Sequence, residues 1–389
     1  MTQYSRQSAG PLAGIKVVEM AAIGPVPFCG MMLADMGAEV IRVDRPASAN
    51  LGIEVDTPFD FMARGKSSIA VNLKQPQGIT VVRRILEKAD IVIEGFRPLV
   101  MERLGLGPEE CLTANPRLVF GRCSGWGDKG PLAHRAGHDI NFLSIAGVLG
   151  ALGPKDGPPL PPLNLIGDFG GGAMHLVAGV LAALIAARAT GRGQVVSASI
   201  ADGALGLMPM IYGLRSGGVW TCARGDNVLD GGAPYYRTYR ARDGRYVAVG
   251  AIETKFYAEL LEQLGLQDRV DAKRQNDRTT WPATAAIFEQ HFLTRTRDEW
   301  ADVFADSDAC VTPVLELDEA PKHPHHIAAR SFVEVEGILQ PAPGAKFSQA
   351  PTPFLNGAHK PGADTRSILK GAGYEEAIID QLVQAGAVA

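Results

Sequence analysis

The chain has 389 residues, 46% of them hydrophobic and 21% charged, with a formal net charge of −4. That apolar content excludes a disordered chain, and the length predicts two or three folding units. A slightly acidic balance supplies no field to hold nucleic acid or an anionic membrane, so neither is expected as a partner.

Residues 15–20 (IKVVEM) form a short apolar run after Gly14 and predict a buried strand. Residues 28–36 have helical character, and 39–44 (EVIRVD) predict a second strand. Further strands are predicted over 68–73, 91–94 and 118–123, with a helix over 77–88 between the first two of these. Short apolar strands alternating with helices predict an α/β fold with a mostly parallel sheet covered on both faces. A long apolar helix is expected over 171–188, followed by a turn into a strand (GRGQVV) and a second helix over 202–215. The longest apolar stretch, 176–187, is shorter than the roughly 20 residues of a membrane span, and no membrane insertion is expected.

The polar, Gly-rich stretch 224–236 (RGDNVLDGGAPYY) predicts a boundary. Beyond it, a strand over 245–250 and helices over 255–264, 281–293 and 297–305 predict a smaller α+β unit. A Pro/His-rich connector (PKHPHH, 321–326) and a helical tail over 363–388 follow, and the tail is expected to return to the first domain. With 45 glycines and 26 prolines the chain exceeds the roughly 12% combined usage of ordinary proteins, which predicts many tight turns. Cys29, Cys111, Cys123, Cys222 and Cys310 are scattered, without the spacing of a zinc site or a disulfide framework. No metal is expected. The opening MTQYSRQSAG lacks the apolar core of an export signal and the final AGAVA is not a peroxisomal tripeptide, so a cytoplasmic protein is expected.

Four features could carry chemistry. His138, in AGHDIN after a Gly/Pro-rich loop, is either a base working near neutral pH or a capping residue. Asp168 precedes three glycines in GDFGGG and is either a base or nucleophile, or an N-cap. Consecutive glycines are costly in a helix, which suggests close approach to the backbone and N–H groups around 170–172 that face an oxyanion. Glu253, at the end of a strand, either orients a histidine or caps the following helix. The cations Arg42, Arg64, Lys66 and Arg97 are either receptors for nucleotide phosphates or solvated surface charges. The dinucleotide fingerprint G-x-G-x-x-G is absent both after Met20 and at the GDFGGG segment.

The segments PLAGIKVVEM, GAEVIRVDRP, ARGKSSIAVNLK, EGFRPLVMERLGLGPE, GWGDKGPLAHRAGHDIN, PPLNLIGDFGGGAM, GRGQVVSASIADG, RGDNVLDGGAPYY and DGRYVAVGAIE occur in this order. Together, over about residues 11–330, they resemble the family III CoA-transferases and, within them, the α-methylacyl-CoA racemase branch. The resemblance implies a Rossmann-like large domain (1–198 and 329–389), linkers (199–228 and 304–328) and a small domain (229–303), in an interlocked homodimer. It implies an acyl-CoA substrate whose CoA occupies the nucleotide site, with no separate cofactor. By the same resemblance His138, Asp168 and Glu253 are the racemase residues, and Arg42 and Arg97 contact CoA. Ala63 departs from the pattern, standing where many relatives have Asn. Histidine at 138 favours α-proton transfer over the transferase alternative, in which Asp168 attacks the thioester and carries an aspartyl-CoA intermediate. A protein that only binds CoA is the third reading. Met208, Met210 and Ile211 are expected either to line an acyl-tail surface or to pack in the core.

Overall fold

Strand β1 (Lys16–Met20) is buried after its first residue, and β4 (Ile91–Glu94) is buried throughout. Such strands need cover on both faces, which is the condition of a central parallel sheet. In the computed structural model, which describes residues 10–47, 53, 55–350 and 356–389, these two strands lie side by side at the centre of a six-stranded sheet. Its order is β3-β2-β1-β4-β5-β6, with β2 (Glu39–Asp44), β3 (Lys66–Ala70), β5 (Val119–Ser124) and β6 (Val195–Ser199), and every pair is parallel. The chain order reverses between β1 and β4. In open α/β sheets ligands bind beyond the carboxyl ends of the strands at that reversal. The N-terminal residues read for an export signal lie largely outside the described residues, which begin at Gly10.

Alternation along β1 feeds two cores. Val18 packs on the face covered by α2 (Pro76–Leu86), through Val81, Val82 and Ile85. Val17 packs on the opposite face with Val26, Cys29 and Leu33 of α1 (Pro25–Asp35) and with Leu176, Val180 and Leu184. Those last three belong to one continuous 26-residue helix, Leu165–Thr190, whose first part, Leu165–Met174, is wound as a π-helix. The helix is longer than the run 176–187 suggested, and by length and composition it would suffice to cross a membrane. Its buried residues serve the sheet core.

The chain divides into two units. The first holds the described residues of Met1–Ala146, Leu163–Leu207 and His325–Ala389, and the second holds Gly147–Pro162 and Met208–Pro324. The helix expected over 202–215 is broken at this division into Ile200–Gly206 and Pro209–Ser216. Pro209 lacks the N–H that would continue the first helix and is suited to start the second. In the first unit the C-terminal tail returns to the sheet edge. Ala389 N–H donates to the Ala70 carbonyl (3.0 Å), and Leu369, Ile379 and Leu382 join the core around α2. In the second unit Tyr236–Arg240, Tyr246–Gly250 and Val311–Pro313 form an antiparallel sheet, β7-β8-β9. Its core is aromatic, with Tyr239, Phe288, Phe292 and Trp300 buried together. Residues 147–162, read above as part of the large domain, cluster with this second unit.

Candidate active site

The loop after β1 ends at Gly24, with φ 71° and ψ −118°, and α1 begins at Pro25. That backbone region is open essentially to glycine alone. The missing side chain also leaves room for a carboxylate, because a Cβ on Gly24 would stand 2.9 Å from Asp168 Oδ2. Asp168 thus lies against the start of α1 at the carboxyl end of β1, beside the point where the sheet order reverses. Phe169 stacks on Phe28 of α1 with ring centroids 4.3 Å apart, fixing the π-helical turn that carries Asp168.

His138 is exposed and precedes the helix α3 (Asp139–Ile145). His138 holds the N-cap position, and its backbone N–H donates to Asn141 Oδ1 (3.1 Å). The imidazole is near enough to Asp168 that its charged form favours the Asp168 anion. Burial acts the other way and is the largest influence, raising the Asp168 pKa above the ordinary carboxylate value. The Asn164 side chain, donating to Asp168 Oδ2 at 3.3 Å, opposes the rise, and the charge of Asp139 adds to it. A half-buried carboxyl with raised proton affinity beside an accessible imidazole forms a pair that can exchange roles as acid and base.

Asp139 was not singled out from the sequence. Its Oδ1 accepts the Asp168 N–H at 2.7 Å, and the Gly167 N–H also donates to this carboxylate. Nothing in the local sequence marks it, since an Asp in the first turn of a helix is ordinary.

The glycines at 170–172 do not present their N–H groups, which belong to the helical hydrogen bonding of Leu165–Met174. They serve close packing instead. A Cβ on Gly171 would stand 2.7 Å from Ala204 N, and one on Gly172 2.8 Å from Pro25 Cβ. The backbone N–H groups of Asp139 and Ile140, at the start of α3, have no acceptor among the described residues.

Two of the four cations are committed to the protein itself. Arg64 is buried, bidentate to Asp35 (3.0 and 2.6 Å), and also donates to Gln340 Oε1 and the Pro341 carbonyl. Lys66 is buried against Glu19 (2.6 Å) and the Pro27 carbonyl (2.9 Å). The expectation that these two receive phosphates is corrected on that ground, because a phosphate would have to displace buried partners. Arg42 is largely buried, with Nε on Asp44 at 2.8 Å and weaker bonds to Asp60 and the His359 carbonyl. Arg97 is exposed in the loop after β4, on the sheet edge that carries Gly24.

Glu253 lies in the second unit, exposed, immediately before the helix Thr254–Leu264, and its side chain does not cap that helix. In the same unit Met208 and Ile211 line a cavity of about 260 Å³ with Trp220 and Tyr212, whereas Met210 is at the surface.

Comparison with known proteins gives a consistent result. Residues 12–365 match CoA-transferase family III. The chain is 43% identical over 373 residues to the alpha-methylacyl-CoA racemase of Mus musculus, covering 95% of this chain and 96% of that protein. It is 40% identical over 381 residues to the alpha-methylacyl-CoA racemase of Homo sapiens, with 95% and 96% covered. Among solved structures, a CAIB/BAIF family protein from Brucella suis superposes with a TM-score of 0.79 at 24% identity, over 94% of this chain and 100% of that one.

Proposed function

Because this chain belongs to CoA-transferase family III, we propose that it acts within that family as an α-methylacyl-CoA racemase, an isomerase that interconverts the 2R and 2S epimers of 2-methylacyl-CoA thioesters. The observation that supports the mechanism is the hydrogen bond from Asp168 N–H to Asp139 Oδ1 at 2.7 Å, which joins the turn of Asp168 to the residue next to His138. Inversion needs one proton carrier on each face of a planar intermediate. In one direction Asp168 takes the α-proton, the electrons of the broken C–H bond pass into the thioester carbonyl as an enolate, and the imidazolium of His138 delivers a proton to the opposite face. In the reverse direction neutral His138 takes the proton and the Asp168 carboxylic acid gives one. On the resemblance to the racemases, Glu253 is assigned the role of selecting the His138 tautomer, supplied by a second copy of the chain.

The enolate oxygen must meet fixed donors, each worth about 3–4 kcal/mol. The unengaged N–H groups of Asp139 and Ile140 are the available ones beside His138. Arg97, with Arg42, receives the CoA phosphates. The only nucleotide moiety required is the CoA of the substrate, since the thioester itself acidifies the α-carbon. The acyl tail meets apolar, methionine-bearing surface, which tolerates varied shapes.

We further propose a cytoplasmic homodimer. Leu163, Leu165, Met174 and Ile185 of the first unit are exposed large apolar residues, a pattern suited to cover by a second copy. Free cysteines at 29, 111, 123, 222 and 310 suit a reducing compartment.

The test is incubation of one 2-methylacyl-CoA epimer in D₂O with a panel of tails. Epimerisation with incorporation of α-deuterium is expected. Absence of both from folded protein on every tail would overturn the racemase reading. Ping-pong exchange of CoA with a free acid, with a hydroxylamine-sensitive Asp168 adduct, would move the assignment to the transferases.

A further inference from the structure

We propose that Asp139 is a positioning residue, holding Asp168 in register with His138 across the reacting carbon. The inference rests on the racemase reading and deepens it. Asp139 is covalently next to His138, so the turn that presents the imidazole also presents this carboxylate. Its Oδ1 accepts the backbone N–H of Asp168 at 2.7 Å, and Gly167 N–H donates to the carboxylate as well. One side chain therefore ties the loop bearing the first proton carrier to the helical turn bearing the second, 29 residues away.

The site is built for this contact. Gly167 is buried, and a Cβ there would fall inside contact distance of Asp139 Oδ1, so a side chain at 167 would displace this carboxylate. Asp139 is 8% exposed, and its Oδ2 is buried with no hydrogen-bond partner. A buried carboxylate with one oxygen unsatisfied is costly. Packing alone does not account for it, because an apolar residue would fill the same space without that cost. Tethering does account for it, since the geometry of proton transfer is demanding and a misplacement of about 1 Å can cost about 10²-fold in rate.

The tether also carries charge. The groups facing Asp168 are Asn164 on its own helix, Asp139 and His138 at the start of α3, the Cys123 thiol on β5, and the Gly24 turn at the start of α1. The Cys123 thiol, pushed up to about 12, is neutral at physiological pH. The charge of Asp139 favours the protonated form of Asp168. A residue that serves as base in one direction and acid in the other gains from that bias.

The experiment uses the full chain with Asp139→Asn, Asp139→Ala and Gly167→Ala. Deuterium exchange is followed from each 2-methylacyl-CoA epimer across pH, and the melting temperature is recorded for each variant. Asp139→Ala removes the acceptor and should lower kcat by about 10-fold or more with KM changed less than about 3-fold. Asp139→Asn keeps an acceptor oxygen but loses the charge. It should retain most of kcat while the acid limb of kcat/KM, in the direction using Asp168 as base, moves to lower pH. Gly167→Ala leaves both charges in place and favours helix, yet displaces the carboxylate, so it should reproduce the kcat loss of Asp139→Ala.

Wild-type kcat in Asp139→Ala, or in Gly167→Ala if the first does not fold, would overturn the tether. An unmoved acid limb in Asp139→Asn would overturn the electrostatic part. Titration of the Asp168 carboxyl by ¹³C NMR needs no turnover: its pKa should fall in Asp139→Asn, and an unmoved value would overturn the electrostatic part even if the wild-type protein racemised no substrate offered. Failure of the wild type to exchange any α-proton is the separate result that removes the racemase reading.

Discussion

Gly24 and Asp168 compete for one volume: a Cβ on residue 24 would stand 2.9 Å from Asp168 Oδ2, and Gly24 has φ 71°. In a dinucleotide-binding sheet the turn after β1 is glycine-rich so that a pyrophosphate can approach the helix N-terminus. Here the same turn has no such fingerprint, and the space opened by its glycine is taken by a side chain of the protein. Gly24→Ala is therefore expected to strain the turn by about 1–3 kcal/mol and to push the carboxylate aside. The outcome expected is a melting temperature lower by a few degrees together with a loss of kcat of about 10-fold or more. Unchanged kcat with unchanged melting would show that the turn accommodates a side chain.

His138→Ala separates chemistry from fold. The ring is exposed, and the hydrogen bond that starts α3 uses the backbone N–H of residue 138, which the substitution retains. Stability should change by less than about 1 kcal/mol, within the range of exposed substitutions. Deuterium exchange should fall by about 10²-fold or more in the direction where the imidazole is the base. Exchange from both epimers at wild-type rates would remove His138 from the scheme.

The cations divide by burial, and each class makes its own prediction. Arg64→Ala leaves Asp35 buried without its partner, and Lys66→Ala does the same to Glu19, whose Oε1 already lacks a hydrogen bond. Each should cost about 3–5 kcal/mol of stability, measured by denaturant unfolding. Arg97→Ala is exposed and should leave stability unchanged while raising KM for the thioester. A raised KM in a fully stable Lys66→Ala protein would return that residue to the phosphate site.

Much of this architecture was legible from periodicity. The runs EVIRVD and IVIE coincide with β2 and β4: IVIE is buried throughout, as a central parallel strand is, and EVIRVD carries β-branched Val and Ile between its charged residues. The site was legible only in part. His138 and Asp168 stand in unusual Gly-rich contexts, which marked them. Arg64 and Lys66 were misread because their partners lie far away in sequence, Asp35 at 29 residues, Gln340 at 276 and Glu19 at 47, and no local pattern reports a tertiary ion pair. The glycines at 170–172 signalled close approach correctly. What approaches is neighbouring protein, Ala204 and Pro25, a distinction that composition does not encode.

Acid should act differently on the two units. In the second, Arg297 holds Glu319 at 2.6 Å and lowers its pKa to about 2, and hydrogen bonds from Thr279 with help from Arg274 bring Asp277 to about 2. A carboxyl whose folded pKa is depressed contributes stability that is present above its unfolded value and is lost as pH falls toward the folded one. The window is therefore from about pH 4.5 down to about 2 for Glu319. In the first unit burial raises Glu19, Glu94, Asp139 and Asp168, so protonation of these four on acidification favours the fold there, while Glu376 is lowered. The second unit should lose its structure first. Trp220, Trp281 and Trp300 lie in it and Trp126 in the first, so fluorescence of a Trp126→Phe variant reports the second unit alone. Its acid transition should precede the loss of overall circular dichroism, and Glu319→Gln should flatten the pH dependence of that transition. A single coincident transition, unmoved by Glu319→Gln, would show that the Arg297–Glu319 pair does not govern the acid response.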